Sequence, residues 1–179
     1  MAEFLWIFWS FSLLGWVLER LFAAVTRSPR RRRRCLLLLP LCPVYGLGMA
    51  AVLALPPSLR SEWPLYLWGG LTATSVEYIY HWWGETFLSV SFWDYTGVFG
   101  NLRGRVCLPF SLAWGLLLFP AVYLVTPPVL ALADRVPVGV TWWLLLAFTA
   151  DAVCSLRFLA VTHDLEALRA VIWPVSADR

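Results

Sequence analysis

The sequence predicts an all-α fold, a polytopic membrane helix bundle of about five transmembrane spans with a broken second span. Three observations predict it: 60% of the 179 residues are hydrophobic, only 14% are charged, and the apolar residues fall into long runs. A soluble domain is nearer half apolar, with about a quarter of its residues charged. A water-soluble globule of this composition would expose large apolar patches, whereas lipid solvates them. Residues 1–179 therefore form a single integral membrane domain.

Five runs of sequence have the length of a membrane span, since a hydrocarbon core of about 30 Å needs roughly 20 helical residues. They are residues 4–25, 35–55, 64–86, 107–125 and 138–160, followed by a tail, 161–179. The first run lacks the basic start and cleavage site of a signal peptide, so we expect a retained span. The second run carries Pro40, Pro43, Gly46 and Gly48, which predict a broken or partly re-entrant helix.

Basic residues predict the orientation of the spans, because arginines collect on the cytoplasmic face. Most of them lie between spans one and two, between spans three and four, and after span five: Arg27, Arg30 to Arg34, Arg103, Arg105, Arg169 and Arg179. We therefore predict a multi-pass protein of the cell membrane with the N-terminus outside and the C-terminus in the cytoplasm. The arginine run could instead bind nucleic acid, but beside a span it is far more often a topology signal, so we expect no nucleic-acid partner. Contact of the arginine run with anionic lipid headgroups is compatible with its role as a topology signal.

The four cysteines show no C-x-x-C spacing and no paired framework. Cys35, Cys42, Cys107 and Cys154 are therefore predicted to be free thiols, packed as small apolar residues.

The third span carries ionisable residues where lipid disfavours them. Glu77, His81 and Glu85 recur every four residues, which stacks them on one helical face. We expect that face to turn into the bundle or towards a hydrated cavity. Three interpretations stay open: a structural network with Arg103 or Arg105, a ligand or proton path, and a metal site. The metal site is the weakest, because the face has one histidine and no H-E-x-x-H pattern, so no metal is predicted.

Other polar residues extend this set. Glu19 lies near the inner end of span one, and Asp151 lies inside span five. In the segment 92–105, Asp94 can cap a helix or pair with an arginine. Arg105, before span four, can hold an anion at a helix N-terminus or pair with one of the acids.

These residues fall in motifs that resemble the ABC-transporter type IV (CmpB-like) family of bacterial membrane proteins. The matching elements run between residues 15 and 115: Gly15-Trp16 with Glu19, Pro40, the run from Cys42 to Gly48, Glu77-Tyr78, Glu85, Trp93 to Thr96, Asn101 to Leu108, and Trp114-Gly115. The chain departs from the family pattern at Arg33 to Leu37 and at Arg103, where family members commonly have asparagine. Arg105 is therefore the better choice for a shared role, and Asn101 joins the candidate residues through this resemblance.

The resemblance implies an integral membrane protein related to transport. The chain has no G-x-x-x-x-G-K-[ST] phosphate loop, so an ATP-driven step would need a separate ATPase subunit. Besides the lipid bilayer, that subunit or a homo-oligomer is the candidate partner, because five spans are few for a monomeric transporter. No cofactor is predicted.

The functional hypothesis is a transport-related, permease-like component with a polar intramembrane binding site. Its candidate residues are Glu19, Glu77, His81, Glu85, Asp94, Asn101 and Arg105. Two alternatives stay open: a membrane-embedded enzyme acting on a lipid-type substrate, with the same acids and His81 as acid–base groups, and a non-catalytic membrane scaffold or assembly factor. No residue is assigned as catalytic, and the balance favours a protein that is not an enzyme.

Overall fold

The computed structural model describes residues 1–26 and 35–170, with side chains to residue 168. Across these ranges every regular element is a helix, and the one extended pairing is an isolated antiparallel bridge between Leu102 and Val106. The predicted all-α class is confirmed. Arg27, the run Arg30 to Arg34 and Arg179 lie outside the described residues, as does the side chain of Arg169.

Six helices follow one another along the described ranges. They are α1 (Ala2–Thr26), α2 (Pro43–Leu53), α3 (residues 62–88), α4 (Leu108–Ala133), α5 (Val138–Thr162) and α6 (Leu165–Ala170), with a single 3-10 turn at Pro57–Leu59. Helices α1, α4 and α5 are long and apolar enough to cross a membrane, and α2 is apolar but shorter. That residues 35–55 and 64–86 also cross the membrane stays a prediction, as does the orientation of the termini.

The segment before α2 is not helical, because prolines remove backbone donors at both ends of residues 40–43. Three of its remaining N–H groups donate to neighbouring helices. Cys42 N donates to Ser12 O of α1 over 2.9 Å, and Leu38 N and Leu39 N donate to the Asp151 carboxylate of α5 over 3.1 and 2.8 Å. Irregular backbone at membrane depth needs such protein partners, since lipid supplies none. The break expected from the prolines is therefore present and is anchored to α1 and α5.

This irregular segment also corrects the expectation of four free thiols. Cys35 and Cys42 form a disulfide, with their Cα atoms 5.1 Å apart. A helix would place residues seven apart about 10 Å from each other, so the pairing follows from the fold of the broken segment. Cys107 and Cys154 are not in disulfides.

Glycines bring α1 and α2 into close contact. A Cβ atom built on Gly15 would lie 2.2 Å from Cγ of Tyr45, and one on Gly46 would lie 2.3 Å from the Phe8 carbonyl oxygen. Small residues at such crossings allow the backbones of membrane helices to approach. A larger residue at Gly15 would displace Tyr45, and one at Gly46 would push α2 away from Phe8 of α1.

Helices α3 and α4 contain π-helical turns. In α4 the turn Ala121–Val125 precedes Pro127 and Pro128, which have no N–H group to continue the regular ladder. Ala121 O accepts from the backbone N–H of Thr126, five residues on, and also from the Thr126 hydroxyl over 2.9 Å. In α3 the turns are Leu65–Gly69 and Gly84–Leu88. Such turns shift the face that a helix presents, and they are frequent at functional sites.

The ends of α3 and α5 are joined by His163. This residue ends α5 in a left-handed conformation with φ 53°, and its Nδ1 donates to the Leu88 carbonyl oxygen at the end of α3 over 2.7 Å. Helix α6 begins after Asp164, whose Oδ1 accepts from Glu166 N and Ala167 N over 2.8 and 3.2 Å.

Candidate functional site

The acidic face of α3 turns into the bundle. Glu77 and His81 are each 1% exposed, whereas the Glu85 side chain, near the end of α3, is 36% exposed. The four-residue spacing puts the three side chains in one row, and the row runs from the buried middle of α3 towards its more open end. Two separate groups of contacts form along it, one at Glu77 and one at Glu85.

Both carboxylate oxygens of Glu77 accept hydrogen bonds from aromatic side chains. The indole Nε1 of Trp114 in α4 donates to Oε2 over 2.7 Å, and the Tyr95 hydroxyl donates to Oε1 over 3.2 Å. A buried carboxylate is costly unless it is hydrogen-bonded, so these donors stabilise Glu77 in its place. Indole is a donor only, which fixes Oε2 as an acceptor.

The second group surrounds Glu85. Its Oε1 lies 3.1 Å from His81 Nε2, and its Oε2 accepts from Arg105 Nε over 2.7 Å. Arg105 Nη1 also donates to the Tyr78 hydroxyl over 2.8 Å, and the guanidinium carbon lies 5.1 Å from the Tyr78 ring centre. The hydrogen bond to Glu85 is the main cause of a raised pKa at Arg105, so this arginine stays charged.

His81 is the third member of the group around Glu85, and only one of its two ring nitrogens contacts Glu85. Its Nδ1 is buried and has no hydrogen-bond partner among the described residues, while Nε2 faces Glu85. The ring meets Trp93 edge to face, with ring centres 4.8 Å apart. No group of three His, Cys, Asp or Glu residues in the described ranges could hold a metal ion.

A tight loop holds Arg105 and two aromatic residues against α3. Trp93 Nε1 donates to Arg105 O over 2.7 Å, and Tyr95 N donates to Gly104 O over 2.8 Å. Gly104 has φ 69°, and a Cβ atom there would lie 2.9 Å from Asp94 Oδ1, so the position needs glycine. The loop thereby carries the Tyr95 hydroxyl to Glu77 and the Arg105 guanidinium to Glu85.

Asp94 and Asn101 shape this loop. Asp94 Oδ1 accepts from Thr96 N over 2.8 Å, and hydrogen bonding to Thr96 lowers the pKa of the Asp94 carboxyl. Asn101 donates to Val98 O over 2.9 Å and accepts from Gly104 N over 3.2 Å. Both side chains are exposed, and no hydrogen bond of the described residues joins either to Glu77 or Glu85. Their geometry is that of loop-forming residues.

Glu19 lies across the bundle from Glu77, with two aromatic rings between them. The Tyr45 hydroxyl of α2 donates to Glu19 Oε1, and the Tyr45 ring meets Trp114 edge to face with centres 5.1 Å apart. Trp114 in turn donates to Glu77. Side chains from all four of the helices α1 to α4 therefore connect the two carboxylates.

Two neighbouring cavities lie beside this connection. The larger has a volume of about 330 Å³ and is bounded by α1, α2, α3 and α4, with the Glu77 carboxylate on its wall. The smaller, about 180 Å³, has Glu19 and Tyr95 on its wall. Both are lined by Tyr45 and Trp114. The structure thus brings Glu19 and Glu77 to adjoining spaces, while Glu85, His81 and Arg105 pair with one another.

The aromatic donors were not among the candidate residues predicted from the sequence. Tyr45, Tyr78, Tyr95 and Trp114 each place a polar atom on a candidate acid or on Arg105. Tyr and Trp combine an apolar body with a donor, so their abundance near intramembrane acids was the available signal. Asp151, by contrast, accepts hydrogen bonds from the backbone N–H groups of Leu38 and Leu39 in the broken segment.

Comparisons with curated proteins and with solved structures found no match to this chain. A family model described as "Putative ABC-transporter type IV" matches residues 6–156. That range includes most of α1, all of α2 to α4, most of α5 and every candidate residue of the site. The chain is an integral membrane protein, and it belongs to the ABC-transporter type IV family.

Proposed function

We propose that this protein is the permease-like membrane subunit of a transport system, and that the larger cavity binds the transported molecule beside Glu77. The observation that carries the proposal is a cavity of about 330 Å³ whose wall holds a carboxylate in the middle of the bundle. Ligand sites are commonly apolar spaces of about 300–1,000 Å³ with a few placed polar groups.

The contacts of Glu77 suit a binding role. Trp114 and Tyr95 donate to its two oxygens, so the carboxylate is oriented before a ligand arrives. Such preorganisation reduces the entropy lost on binding. His81 and Glu85 lie one and two turns further along α3, and Arg105 of the loop before α4 pairs with Glu85 at that end of the same face. We assign the energy source to a separate ATPase subunit, as the family description and the missing phosphate loop suggest.

The experiment compares Glu77→Gln with wild type in vesicles reconstituted from native membrane extract, with any ATPase that co-purifies. We expect wild type to move at least one extract component across the membrane, measured by mass spectrometry of the vesicle contents. Glu77→Gln should reduce that movement about tenfold, because the amide changes charge and acceptor geometry at the site. Glu62→Gln, at the exposed start of α3, is the matched control and should transport like wild type.

The scaffold hypothesis remains the second candidate, because Glu85 is paired with both His81 and Arg105. It predicts that Glu77→Gln lowers the melting temperature and the yield without a separate transport defect. Wild-type vesicles that move no component, alone or with the ATPase, would overturn the permease proposal in favour of the scaffold.

A further inference from the structure

We propose that the larger cavity takes its ligand from the bilayer through a lateral opening between α1 and α4. The ligand class is an amphiphile with a long apolar body and a hydrogen-bond-donating, non-anionic polar end. The inference deepens the proposed function, since the molecule held there would be the cargo, but the binding step can be measured by itself.

The opening lies between two contacts of α1 with α4. At one end, α1 packs against residues 126–133 of α4. At the other end, the rings of Phe22 and Phe110 meet with their centres 5.9 Å apart. Between these contacts, Leu18 of α1 and Leu117 of α4 line the cavity. They are nevertheless 39% and 45% exposed, so they form the edges of an opening.

The opening faces lipid. Helices α1 and α4 are two of the three described helices with the length and hydropathy of membrane spans. The α1 wall of the cavity is apolar up to the opening, since Leu14 and Leu21 line the cavity and are exposed by 45% and 60%. A molecule dissolved in the bilayer can therefore reach the cavity without crossing the aqueous phase.

The interior favours an alkyl chain over water. Its wall is apolar apart from Glu77, Tyr45 and Trp114, which already contact one another or Glu19. A buried water needs two to four polar partners, and the part of the described wall away from Glu77, Tyr45 and Trp114 offers no polar side chain. An apolar chain needs no such partners and gains dispersion contacts with the wall.

Gly48 supplies part of this space. It is buried on α2 and lines the cavity, yet a Cβ atom built on it would meet nothing within 4 Å. Gly15 and Gly46 differ, since Tyr45 and Phe8 occupy the positions that their Cβ atoms would take. Packing between helices therefore does not require a glycine at position 48. The glycine instead leaves cavity space that a ligand can occupy.

Glu77 selects the polar end of the ligand. A carboxylate has about four lone-pair sites and accepts from a further amine or hydroxyl, whereas it repels a second carboxylate or a phosphate at short range. In an apolar surrounding that repulsion is weakly screened. The ligand should therefore carry an amine or hydroxyl head.

The experiment uses full-length protein in lipid nanodiscs with three photoreactive probes of one alkyl chain, ending in an amine, an alcohol or a carboxylate. We expect the amine and the alcohol to label peptides of α1, α2 and α4, and the carboxylate to label them several-fold less. Gly48→Leu should reduce this labelling about tenfold, because its side chain occupies the cavity. Gly139→Leu is the matched control, since its Cβ also meets nothing and it lies outside the cavity, at the start of α5.

A second variant keeps the test independent of how well Gly48→Leu folds. Glu77→Gln should still be labelled by the alkyl chain but should lose the preference for amine over carboxylate. Unchanged labelling in Gly48→Leu, equal loss in Gly139→Leu, or equal labelling by all three heads in wild type would overturn the inference. Labelling as expected with no transport would leave it standing and reject the permease proposal. If Gly48→Leu left both transport and labelling unchanged, the cavity inference would be rejected and the permease proposal would stand.

Discussion

At the scale of single residues, the aromatic donors determine what the acids can do. Glu77 is almost fully buried, and it is stable there because an indole and a phenol donate to it. Glu85 is more exposed, and the positively charged guanidinium of Arg105 compensates its negative charge. The same residue type on one helix face therefore has two environments, and the difference arises from which neighbours reach each position.

Trp114→Phe tests the stabilisation of Glu77. The substitution keeps an aromatic ring beside Tyr45 but removes the indole donor, which leaves a buried carboxylate with one hydrogen bond fewer. We expect the free energy of unfolding to fall by about 1–3 kcal/mol. Thermal unfolding of the protein in detergent, followed by intrinsic fluorescence, measures this change as a lower melting temperature.

Trp142→Phe serves as the control for that measurement. Trp142 lies on α5 and is 57% exposed, so losing its indole removes no buried contact. Its melting temperature should match wild type. Equal stability of the two variants would mean that the Trp114 donor contributes nothing to the stability of the buried acid.

At the scale of elements, the sequence predicted what depends on local spacing. The prolines at 40 and 43 indicated the break before α2, because a missing N–H acts at its own position. Glu77 and His81 share a buried face because their spacing matches the helical repeat. The Cys35–Cys42 disulfide was missed, because it depends on the path of an irregular segment that no periodicity describes.

The role of Asp151 also could not be predicted from local spacing in the sequence. An acid in the middle of an apolar helix suggests a functional group. In the structure it accepts from Leu38 N, Leu39 N and the Ser155 hydroxyl, at 3.1, 2.8 and 2.9 Å. Two of these three partners are backbone groups more than a hundred residues away in sequence, and no side-chain pattern marks a backbone N–H as lacking a bond.

Asp151→Ala should loosen the broken segment. The substitution leaves the N–H groups of Leu38 and Leu39 without acceptors in an apolar surrounding, a loss of about 1–3 kcal/mol for each group. Hydrogen–deuterium exchange should rise in the peptide covering residues 36–42 and stay unchanged in α4. Asp134→Ala, at the exposed end of α4, is the control and should leave exchange in residues 36–42 as in wild type.

At the scale of the whole molecule, the candidate site depends on contacts between residues that are far apart in the sequence. Tyr45, Trp114 and Tyr95 come from α2, α4 and the loop before it, and they meet Glu77 or Glu19 only once the helices pack. The glycines that allow that packing, Gly15 and Gly46, are visible in the sequence, but their partners are not. Composition was enough to predict the membrane setting, whereas the cavity required the assembled bundle.

The orientation of the bundle is the last prediction, and it rests on the distribution of arginines. Residues 27–34 and the loop that holds Arg103 and Arg105 should lie in the cytoplasm, because positive residues resist transfer across the membrane. This places the more exposed Glu85 on the cytoplasmic side and the N-terminus outside. A green fluorescent protein fused to the C-terminus should fluoresce, and an N-terminal epitope should be accessible in intact spheroplasts. The control exchanges the arginines of the run Arg30 to Arg34 for glutamine, which should reduce the fluorescence of the C-terminal fusion. Fluorescence of N-terminal rather than C-terminal fusions would reverse the orientation, and Glu85 would then face the outside.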